Sequence, residues 1–491
     1  MFIHLNSLRK KSTIGLCLIY TLLHRTFKCG VSGCPPAYGR KSGEVGAFRL
    51  RLANFYKKTT MGYLQKLFFT CYNGHEDSKG RRPMNRLFMF LLAMMFAFCL
   101  SSSLEAAEKA SLSPKEQLGK LLFFDAKLSV PEGQSCAVCH APEVGFTGPD
   151  TGINEAGAVY EGAAKGRFGN RKPPASSYCG DSPVLHFDKK EKVWVGGMFW
   201  DGRATGKRLK DPLAEQAQGP FLNPLEQNIP DSKTICLKIK DAPYAPLFEQ
   251  VWGKGAVDCD NASATYDRVG RSVAAYERSK EANPFSSKYD YWLLKKVKLS
   301  NEEMLGLKLF EGRGKCAECH PNRKGHKGAL PLFTDFTYDN LGIPKNPKNP
   351  FYGMPAEWNP AGATFVDMGL GGYLKEAGYK PSQYGPEMGK FKVPTLRNVD
   401  KRPSQGMVKA FGHNGYFKGL KEIVHFYNTR DVLGRCENIS DSKPGVNCWP
   451  GPEVSSNLNR EELGKLGLTD QEEDAIVAFL RALSDGYVIE K

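Results

Sequence analysis

Helical patterns of polar and apolar residues recur at matching places in two halves of the chain. Residues 113–123 and 300–310 each begin with a serine followed three positions later by glutamate, the capping box that starts a helix. A second helix is predicted to close each half, at residues 265–279 and 469–483. In the last of these helices the apolar residues share one face: Ile476, Phe479, Leu480 and Leu483.

The stretches between these helices are rich in glycine, proline and aromatic residues. Residues 320–400 in particular show little periodicity, which predicts irregular loops with at most a short strand. The whole pattern predicts a mainly α-helical fold of two similar domains, residues 108–295 and 296–491, with long irregular loops. Such loops bury little apolar surface by themselves, so we expect a bound cofactor to organise them.

Residues 84–107 have the features of a secretory signal peptide. A short basic start is followed by 14 apolar residues, Leu87–Leu100, which are too few to span a bilayer comfortably, and then by small residues suited to cleavage. We therefore expect export to the periplasm from a start at Met84, with no stable membrane anchor in the mature form. Residues 1–83 would then be a mis-called or unstructured upstream segment; the alternative is a long targeting presequence or an anchor around residues 14–23.

The net charge of +16 does not point to a nucleic-acid partner. Residues 1–107 contain 16 Lys and Arg against four Asp and Glu, so this segment carries +12 of the total and the remainder carries +4. A weakly basic globular protein needs no nucleic acid to balance its charge. We therefore expect no nucleic-acid partner.

The motif Cys-x-x-Cys-His occurs twice, at residues 136–140 and 316–320. It is the signature of c-type haem attachment, in which each sulfur joins a haem vinyl group and the histidine binds the iron. A zinc site or a redox-active cysteine pair is the alternative, and a single copy would leave it open. Two copies in an exported chain favour two covalent haem c groups. The residues that would hold them are Cys136, Cys139, His140, Cys316, Cys319 and His320.

Five further cysteines follow the signal peptide: Cys179, Cys236, Cys259, Cys436 and Cys448. An oxidising compartment permits disulfides. Cys236 with Cys259 and Cys436 with Cys448 are candidate pairs because the partners lie close in sequence. Cys179 would then remain unpaired.

Several other motifs resemble the bacterial di-haem cytochrome c peroxidase/MauG family, in the order found there and over residues 112–485. They are Leu121–Asp125, Phe199–Arg203, Gln216–Pro220, Asn223–Glu226, Phe391–Asn398 and Gly412–Gly415. The resemblance implies two cytochrome c-like domains, each with one covalent haem. It also implies that hydrogen peroxide reacts at the N-terminal haem, while the C-terminal haem stores and passes electrons.

The same resemblance assigns roles to three side chains. It places Glu226 and Gln216 in the pocket above the first haem, where a group must move a proton between the two peroxide oxygens. It places Trp200 between the haems, where an indole can relay an electron. The plainer alternatives are an exposed carboxylate at a helix start for Glu226 and a core aromatic for Trp200.

Two departures from the peroxidase pattern bear on the subtype. Many peroxidases carry a distal histidine that blocks the resting first haem, yet residues 148–174 contain none, so we expect that haem to be open or water-bound. The position that supplies a methionine to the second haem in peroxidases is Tyr427, as in MauG-type members, with Met407 and His425 as alternatives. A phenolate stabilises higher oxidation states of iron, whereas a neutral thioether raises the potential.

A third departure concerns calcium, which the family holds between its domains through an asparagine that follows an arginine. In this chain Arg171 is followed by Lys172, whose ammonium cannot ligate Ca²⁺ but could replace its charge. Asn170 is the alternative oxygen donor. These departures put the calcium that the resemblance implies in doubt.

Three functions follow from these observations. The first is a di-haem peroxidase that reduces hydrogen peroxide with electrons from a small cytochrome c or a cupredoxin. The second is a MauG-like oxidase that uses peroxide to oxidise side chains of a partner protein, which the missing histidine and Tyr427 favour. The third is an electron-transfer cytochrome without peroxide turnover, against which an open first haem beside Glu226 argues.

Overall fold

The computed structural model describes residues 111–324 and 328–489, and most of its regular structure is helical. The predicted signal peptide and the segment 1–83 lie outside these residues. The helices are α1 Pro114–Phe123, α2 Cys136–Cys139, α3 Thr151–Glu155, α4 Pro212–Leu222, α5 Ser232–Lys240, α6 Ala245–Trp252, α7 Ala262–Glu277, α8 Lys288–Leu293, α9 Asn301–Glu311, α10 Cys316–Cys319, α11 Gly369–Glu376, α12 Pro381–Tyr384, α13 Leu420–Thr429 and α14 Asp470–Arg481.

Six short strands form three two-stranded sheets among the described residues. The strands are β1 His186–Asp188, β2 Val193–Val195, β3 Tyr338–Asp339, β4 Phe391–Lys392, β5 Gly434–Arg435 and β6 Cys448–Trp449. β1 pairs antiparallel with β2, β3 pairs antiparallel with β4, and β5 pairs parallel with β6. The mainly α-helical class is thus confirmed, and the part of the chain described contains no helix long and apolar enough to cross a membrane.

The predicted capping boxes start three of the helices. Ser113 caps α1, Ser300 caps α9 and Thr469 caps α14, each in a reciprocal bond with the glutamate three residues on. The helix predicted at residues 265–279 is α7, which begins three residues earlier and ends two residues earlier. These starts could be predicted because the bonds that fix them lie within one turn of chain.

Each half of the described chain has its own hydrophobic core. Residues 111–295, the first half, bury one large apolar cluster, and residues 296–489, the second half, bury another to which Tyr289 also belongs. Two small clusters join side chains from both halves, among them Trp194 with Leu370 and Val144 with Met407. The division into domains at residue 295 stays a prediction.

A glycine in each half lets two helices cross closely, α1 with α7 and α9 with α14. A Cβ at Gly119 of α1 would lie 1.9 Å from the carbonyl oxygen of Ser272 in α7. A Cβ at Gly306 of α9 would lie 1.9 Å from the carbonyl oxygen of Ala475 in α14. The two halves therefore repeat the same helix crossing. Glycine is required at both positions because the backbone of the facing helix occupies the space that a side chain would need.

Replacing Gly306 by alanine is expected to destabilise the protein. Overpacking against rigid backbone costs about 3 kcal/mol, which outweighs the roughly 1 kcal/mol that alanine gains over glycine within a helix. Thermal unfolding should show a lowered Tm. Gly353→Ala is the control, because no atom outside the neighbouring residues lies within 4 Å of the added methyl group. Equal Tm values for the two variants would contradict the close crossing.

Both candidate disulfides are present. Cys236 in α5 is bonded to Cys259, and Cys436 is bonded to Cys448 in β6, which confirms the pairing expected from sequence proximity. Cys179 is a buried free thiol whose Sγ donates to the carbonyl oxygen of Ser176 at 3.3 Å.

A fully buried ion pair fixes the loop that follows β4. Arg397 donates two hydrogen bonds to the carboxylate of Asp290 in α8, at 3.0 and 2.9 Å, and both side chains are 0% exposed. Its Nε donates to the carbonyl oxygen of Pro331 at 2.7 Å. Because every charged group in this pair has a partner, burial does not leave an isolated charge.

Candidate active site

The two motif histidines are oriented in the same way. Nδ1 of His140 lies 3.1 Å from the carbonyl oxygen of Phe146, and Nδ1 of His320 lies 2.8 Å from that of Phe333. A ring nitrogen facing a carbonyl oxygen carries the proton, so Nε2 keeps its lone pair for a metal. Burial lowers the pKa of each imidazole to about 4, which favours this neutral form.

The two phenylalanines that orient these histidines were not predicted. Both have left-handed backbone conformations, with φ of 59° at Phe146 and 56° at Phe333, which are uncommon for bulky residues. Phe146 packs against the crossing of α1 and α7, and Phe333 packs against that of α9 and α14. The available signal was the dipeptide Phe-Thr, repeated at 146–147 and 333–334.

All four motif cysteines are free thiols, as attachment to haem vinyl groups requires. Among the described residues, one set of three potential ligands gathers within 4.8 Å, namely Cys319, Asp339 and Glu462. The amide of Asn459 donates to both of those carboxylates. Neither motif brings together the four Cys and His ligands that are typical of a structural zinc site, so the geometry favours haem over zinc.

A large, mainly apolar cavity lies at the second motif. The walls include Cys316, Cys319, His320, Trp200 and Tyr427. Free thiols, an imidazole with an available Nε2 and apolar surroundings are what a covalent haem requires, so these residues fit the group.

Tyr427 lies in α13 and faces that cavity. No hydrogen bond joins its hydroxyl to another described residue, and burial raises its pKa above the ordinary value, with the Cys316 and Cys319 thiols adding to the effect. The two alternative ligands lie elsewhere. Met407 packs with Ala141 and Val144, and His425 is bonded through Nδ1 to the carboxylate of Glu473 at 2.9 Å. Ligation by Tyr427 stays a prediction, and its placement is compatible with it.

Glu226 lies in the turn after α4, close to the first motif. Burial and then the Glu226 carboxylate raise the pKa of the Cys139 thiol to about 12. Burial also raises the pKa of Glu226 itself, opposed in part by Arg203 and by Asn223, whose Nδ2 donates to Oε1 at 2.7 Å. Glu226 does not start a helix, so it is not the exposed helix-start carboxylate of the plainer alternative.

Gln216 lies in α4 and is buried, with 7% of its surface exposed. Within the described chain no hydrogen bond joins its amide to another residue. An amide without a protein partner is available to a small polar ligand. Its role beside Glu226 stays a prediction.

Trp200 is held by two hydrogen bonds as well as by packing. Its indole Nε1 donates to the carbonyl oxygen of Lys172 at 2.8 Å, and its own carbonyl oxygen accepts from the backbone N–H of Lys392 at 2.8 Å. It is 8% exposed and lines the cavity of the second motif together with His320. The indole orientation is therefore specified, beyond what a core aromatic needs.

The turn after Trp200 is anchored by charged partners. Asp201 pairs with Arg171 at 2.6 Å and with Arg203 at 2.9 Å. Burial opposes ionisation of Asp201, but the two guanidinium groups outweigh it and lower the pKa to about 2. Arg171 also pairs with Asp367 at 2.6 Å and so links the first half to the second.

The residue after Arg171 does not fit calcium. The ammonium of Lys172 donates to Thr147 Oγ1 at 3.0 Å and to the carbonyl oxygen of Pro173 at 2.9 Å, so it holds oxygen atoms that a metal would need. The amide nitrogen of Asn170, the alternative donor, is bonded to Asp367 at 3.2 Å.

The structure offers no described histidine that could block the first motif. His186, the next histidine after residues 148–174, is exposed in β1, and its Nδ1 lies 2.8 Å from the carbonyl oxygen of Val184. His413 is buried and stacks on Phe391, with ring centroids 3.5 Å apart. An open first site remains the expectation.

Comparisons with known proteins agree with this geometry. Residues 113–298 match the family described as di-haem cytochrome c peroxidase. The methylamine utilization protein MauG of Paracoccus denitrificans (strain Pd 1222) is 37% identical over 372 residues, which covers 75% of this chain and 88% of that protein. Cytochrome c551 peroxidase of Nitrosomonas europaea is 27% identical, covering 75% and 79%. The solved diheme peroxidase BthA from Burkholderia thailandensis E264 has a TM-score of 0.59 and 30% identity, over 76% of this chain and 87% of that one.

Proposed function

The chain belongs to the di-haem cytochrome c peroxidase family, which includes MauG, and we propose that it reduces hydrogen peroxide at a haem held by the first Cys-x-x-Cys-His motif. The observation that carries the proposal is the half-buried carboxyl of Glu226 beside that motif, held by Asn223. Electrons would arrive through a haem at the second motif, whose cavity Trp200 lines.

We propose that each half binds one haem covalently, the first between residues 108 and 295 and the second between residues 296 and 491. The thiols of each motif would attach the haem, and Nε2 of His140 or His320 would bind the iron. When bound, the two haems supply the electron storage and the oxygen-bond cleavage that side chains cannot provide.

Covalent attachment predicts the mass of the denatured protein. It should exceed the mass of the processed polypeptide by two haem groups, because thioether bonds survive unfolding. Replacing both Cys316 and Cys319 by alanine should remove one haem. The control is Cys179→Ala, since Cys179 is outside both motifs and should leave both haems in place. Loss of all haem from the denatured wild-type protein would contradict covalent binding.

The side chains near the first motif would transfer protons during the reaction with hydrogen peroxide. Ionised Glu226 would accept a proton from one oxygen of hydrogen peroxide and return it to the other, while Gln216 would orient the peroxide by hydrogen bonding. Asn223 holds the Glu226 carboxyl in one position. Arg203 favours the ionised form, which is the form able to accept a proton.

One mixing experiment tests this function. Oxidised protein is mixed with stoichiometric hydrogen peroxide, its absorption spectrum is followed, and reduced cytochrome c is then added. Rapid oxidation of the cytochrome is expected for a peroxidase. Absence of any spectral change with peroxide would refute the proposal and favour a plain electron-transfer cytochrome.

Tyr427 favours a second candidate function, that of a MauG-like oxidase. A phenolate on the second haem would stabilise oxidised iron, so oxidising equivalents from peroxide could persist and be drawn from side chains of a partner protein. In the same mixing experiment this function gives a long-lived oxidised species that oxidises cytochrome c slowly.

We propose a periplasmic location, with a small cytochrome c, a cupredoxin or a protein substrate as the partner. The support is the signal-peptide pattern of residues 84–107. Determining the N-terminus of the native protein tests it: the chain should begin near Ala106 or Ala107, and any peptide from residues 1–83 would contradict the start at Met84.

A further inference from the structure

A buried lysine, Lys409, and a half-buried one, Lys172, lie near each other where the halves of the chain join. Nζ of Lys409, a residue 4% exposed, donates to the carbonyl oxygens of Val144, Asn398 and Lys401 at 2.9, 3.1 and 3.0 Å. Val144 belongs to the first half, whereas the other two acceptors belong to the second. One side chain therefore ties backbone from both halves together.

The geometry identifies the charged form of Lys409. An ammonium has three N–H donors and no acceptor, whereas a neutral amine has two donors and a lone pair. Three carbonyl oxygens surround Nζ, so a neutral amine would turn its lone pair toward an acceptor. The three bonds at ordinary distances are therefore those of a protonated lysine.

Lys172 lies close enough to Lys409 for their charges to interact, and burial followed by this interaction lowers the pKa of Lys409. The ammonium group of Lys172 donates hydrogen bonds to Thr147 Oγ1 and to the carbonyl oxygen of Pro173. No ion pair with a carboxylate involves either lysine in the described parts of the chain. Nearby Asp400 is instead paired with Arg402 and Arg481.

This placement is unusual because a buried ammonium group lies near a second, half-buried one of the same charge. Such a pair is costly unless each charge is well hydrogen-bonded. Five oxygen atoms around the two ammonium groups meet that requirement. A divalent cation such as Ca²⁺ would also need oxygen atoms that converge on one point as its ligands.

We propose that the ammonium groups of Lys172 and Lys409 supply the positive charge that joins the two halves, so that the protein needs no divalent cation at this junction. The lysines occupy the oxygen atoms that Ca²⁺, with six to eight oxygen ligands, would otherwise bind. The residues present therefore argue against the calcium that the family resemblance implies.

The junction also positions Trp200. The backbone N–H of Lys172 donates to the carbonyl oxygen of His413 at 2.9 Å, and its own carbonyl oxygen accepts from the Trp200 indole at 2.8 Å. Fixing the Lys172 ammonium thus fixes the backbone that orients the indole. Lys172 is a positioning residue, since it acts through Trp200.

Metal analysis of the purified holoprotein tests the proposal without reference to peroxide turnover. The calcium content is expected to be far below one ion per chain, and neither EDTA nor added Ca²⁺ should shift the Tm. One calcium per chain, removed by EDTA with a fall in Tm, would overturn the proposal. Because these readouts involve no catalysis, failure of the proposed peroxidase function would leave them interpretable.

Two variants extend the test. Lys409→Met keeps a similar length but leaves three carbonyls without donors, so the Tm should fall by roughly 5 °C and Ca²⁺ should not restore it. Lys172→Met is the milder variant, and it should shift the reduction potential of the second haem while its Tm also ignores Ca²⁺. The control is Lys189→Met, because Lys189 is exposed. A Lys409→Met variant as stable as the control would contradict the role of the ammonium.

Discussion

Replacing Glu226 by glutamine should slow the reaction of the resting protein with hydrogen peroxide by about 10²- to 10⁴-fold, the usual contribution of a positioned acid or base. Glutamine keeps the shape of the side chain and can still accept the hydrogen bond from Asn223 Nδ2. It cannot accept the peroxide proton. The measurement is the second-order rate constant from stopped-flow absorption of the haem bands.

The pH dependence gives this prediction a sharper form. Burial raises the pKa of Glu226 above the ordinary carboxyl value, and only the ionised carboxylate can take up the proton. The rate constant of the wild-type protein should therefore be full at high pH and fall as pH decreases through this raised pKa. The glutamine variant should lack that acidic limb.

A matched control separates the role of Glu226 from the loss of a negative charge. Glu143 follows the first motif by three residues and is exposed, so Glu143→Gln changes the charge near the same motif without altering the Glu226 carboxyl. Its rate constant and pH profile should match the wild type. A Glu226→Gln variant that behaves like this control, with an unchanged resting spectrum, would eliminate Glu226 as the proton-transfer group.

Local chemistry explains which parts of the fold could be predicted. The capping boxes at Ser113, Ser300 and Thr469 act within one turn, so a short window of sequence contains both partners. The same holds for the disulfide between Cys436 and Cys448, whose partners are 12 residues apart. The two Cys-x-x-Cys-His motifs are equally local, so both could be recognised in the sequence.

Contacts between distant residues explain what could not be predicted. Lys409 and Val144 are 265 residues apart, and Arg397 and Asp290 are 107 apart. Nothing in the residues around Lys409 distinguishes it from an exposed lysine, because its acceptors are backbone carbonyls that every residue possesses. The one sign of this junction in the sequence was therefore Lys172, which stands where the family has an asparagine.

The same distinction between local motifs and distant contacts applies to the candidate site. Trp200 and Tyr427 could be picked out through family motifs, but the bonds that orient the indole involve the backbone of Lys172 and Lys392. Side-chain type carries no information about backbone partners. Where Tyr427 faces depends on how α13 packs against α14, a contact between separate segments of the chain.

Replacing Tyr427 by methionine should raise the reduction potential of the second haem by on the order of 100 mV, because axial ligands tune haem potentials over about 0.8 V. An anionic phenolate favours oxidised iron, and a neutral thioether favours reduced iron. Burial raises the pKa of Tyr427, so a phenolate would form here only if a bound iron stabilised it. Redox titration of the haem bands measures the potential.

The same substitution should also move the protein from one candidate function toward the other. With the potential raised, oxidising equivalents from peroxide should be passed to reduced cytochrome c faster, and the long-lived oxidised species should shorten. Tyr427→Phe removes only the oxygen and should give a second haem without a sixth protein ligand. Tyr416→Phe is the control, since Tyr416 is a partly buried tyrosine of the same half that does not line the cavity. If Tyr427→Phe and Tyr416→Phe both leave the spectrum and potential unchanged, Tyr427 packs beside the haem without binding its iron, and the phenolate argument for a MauG-like oxidase fails.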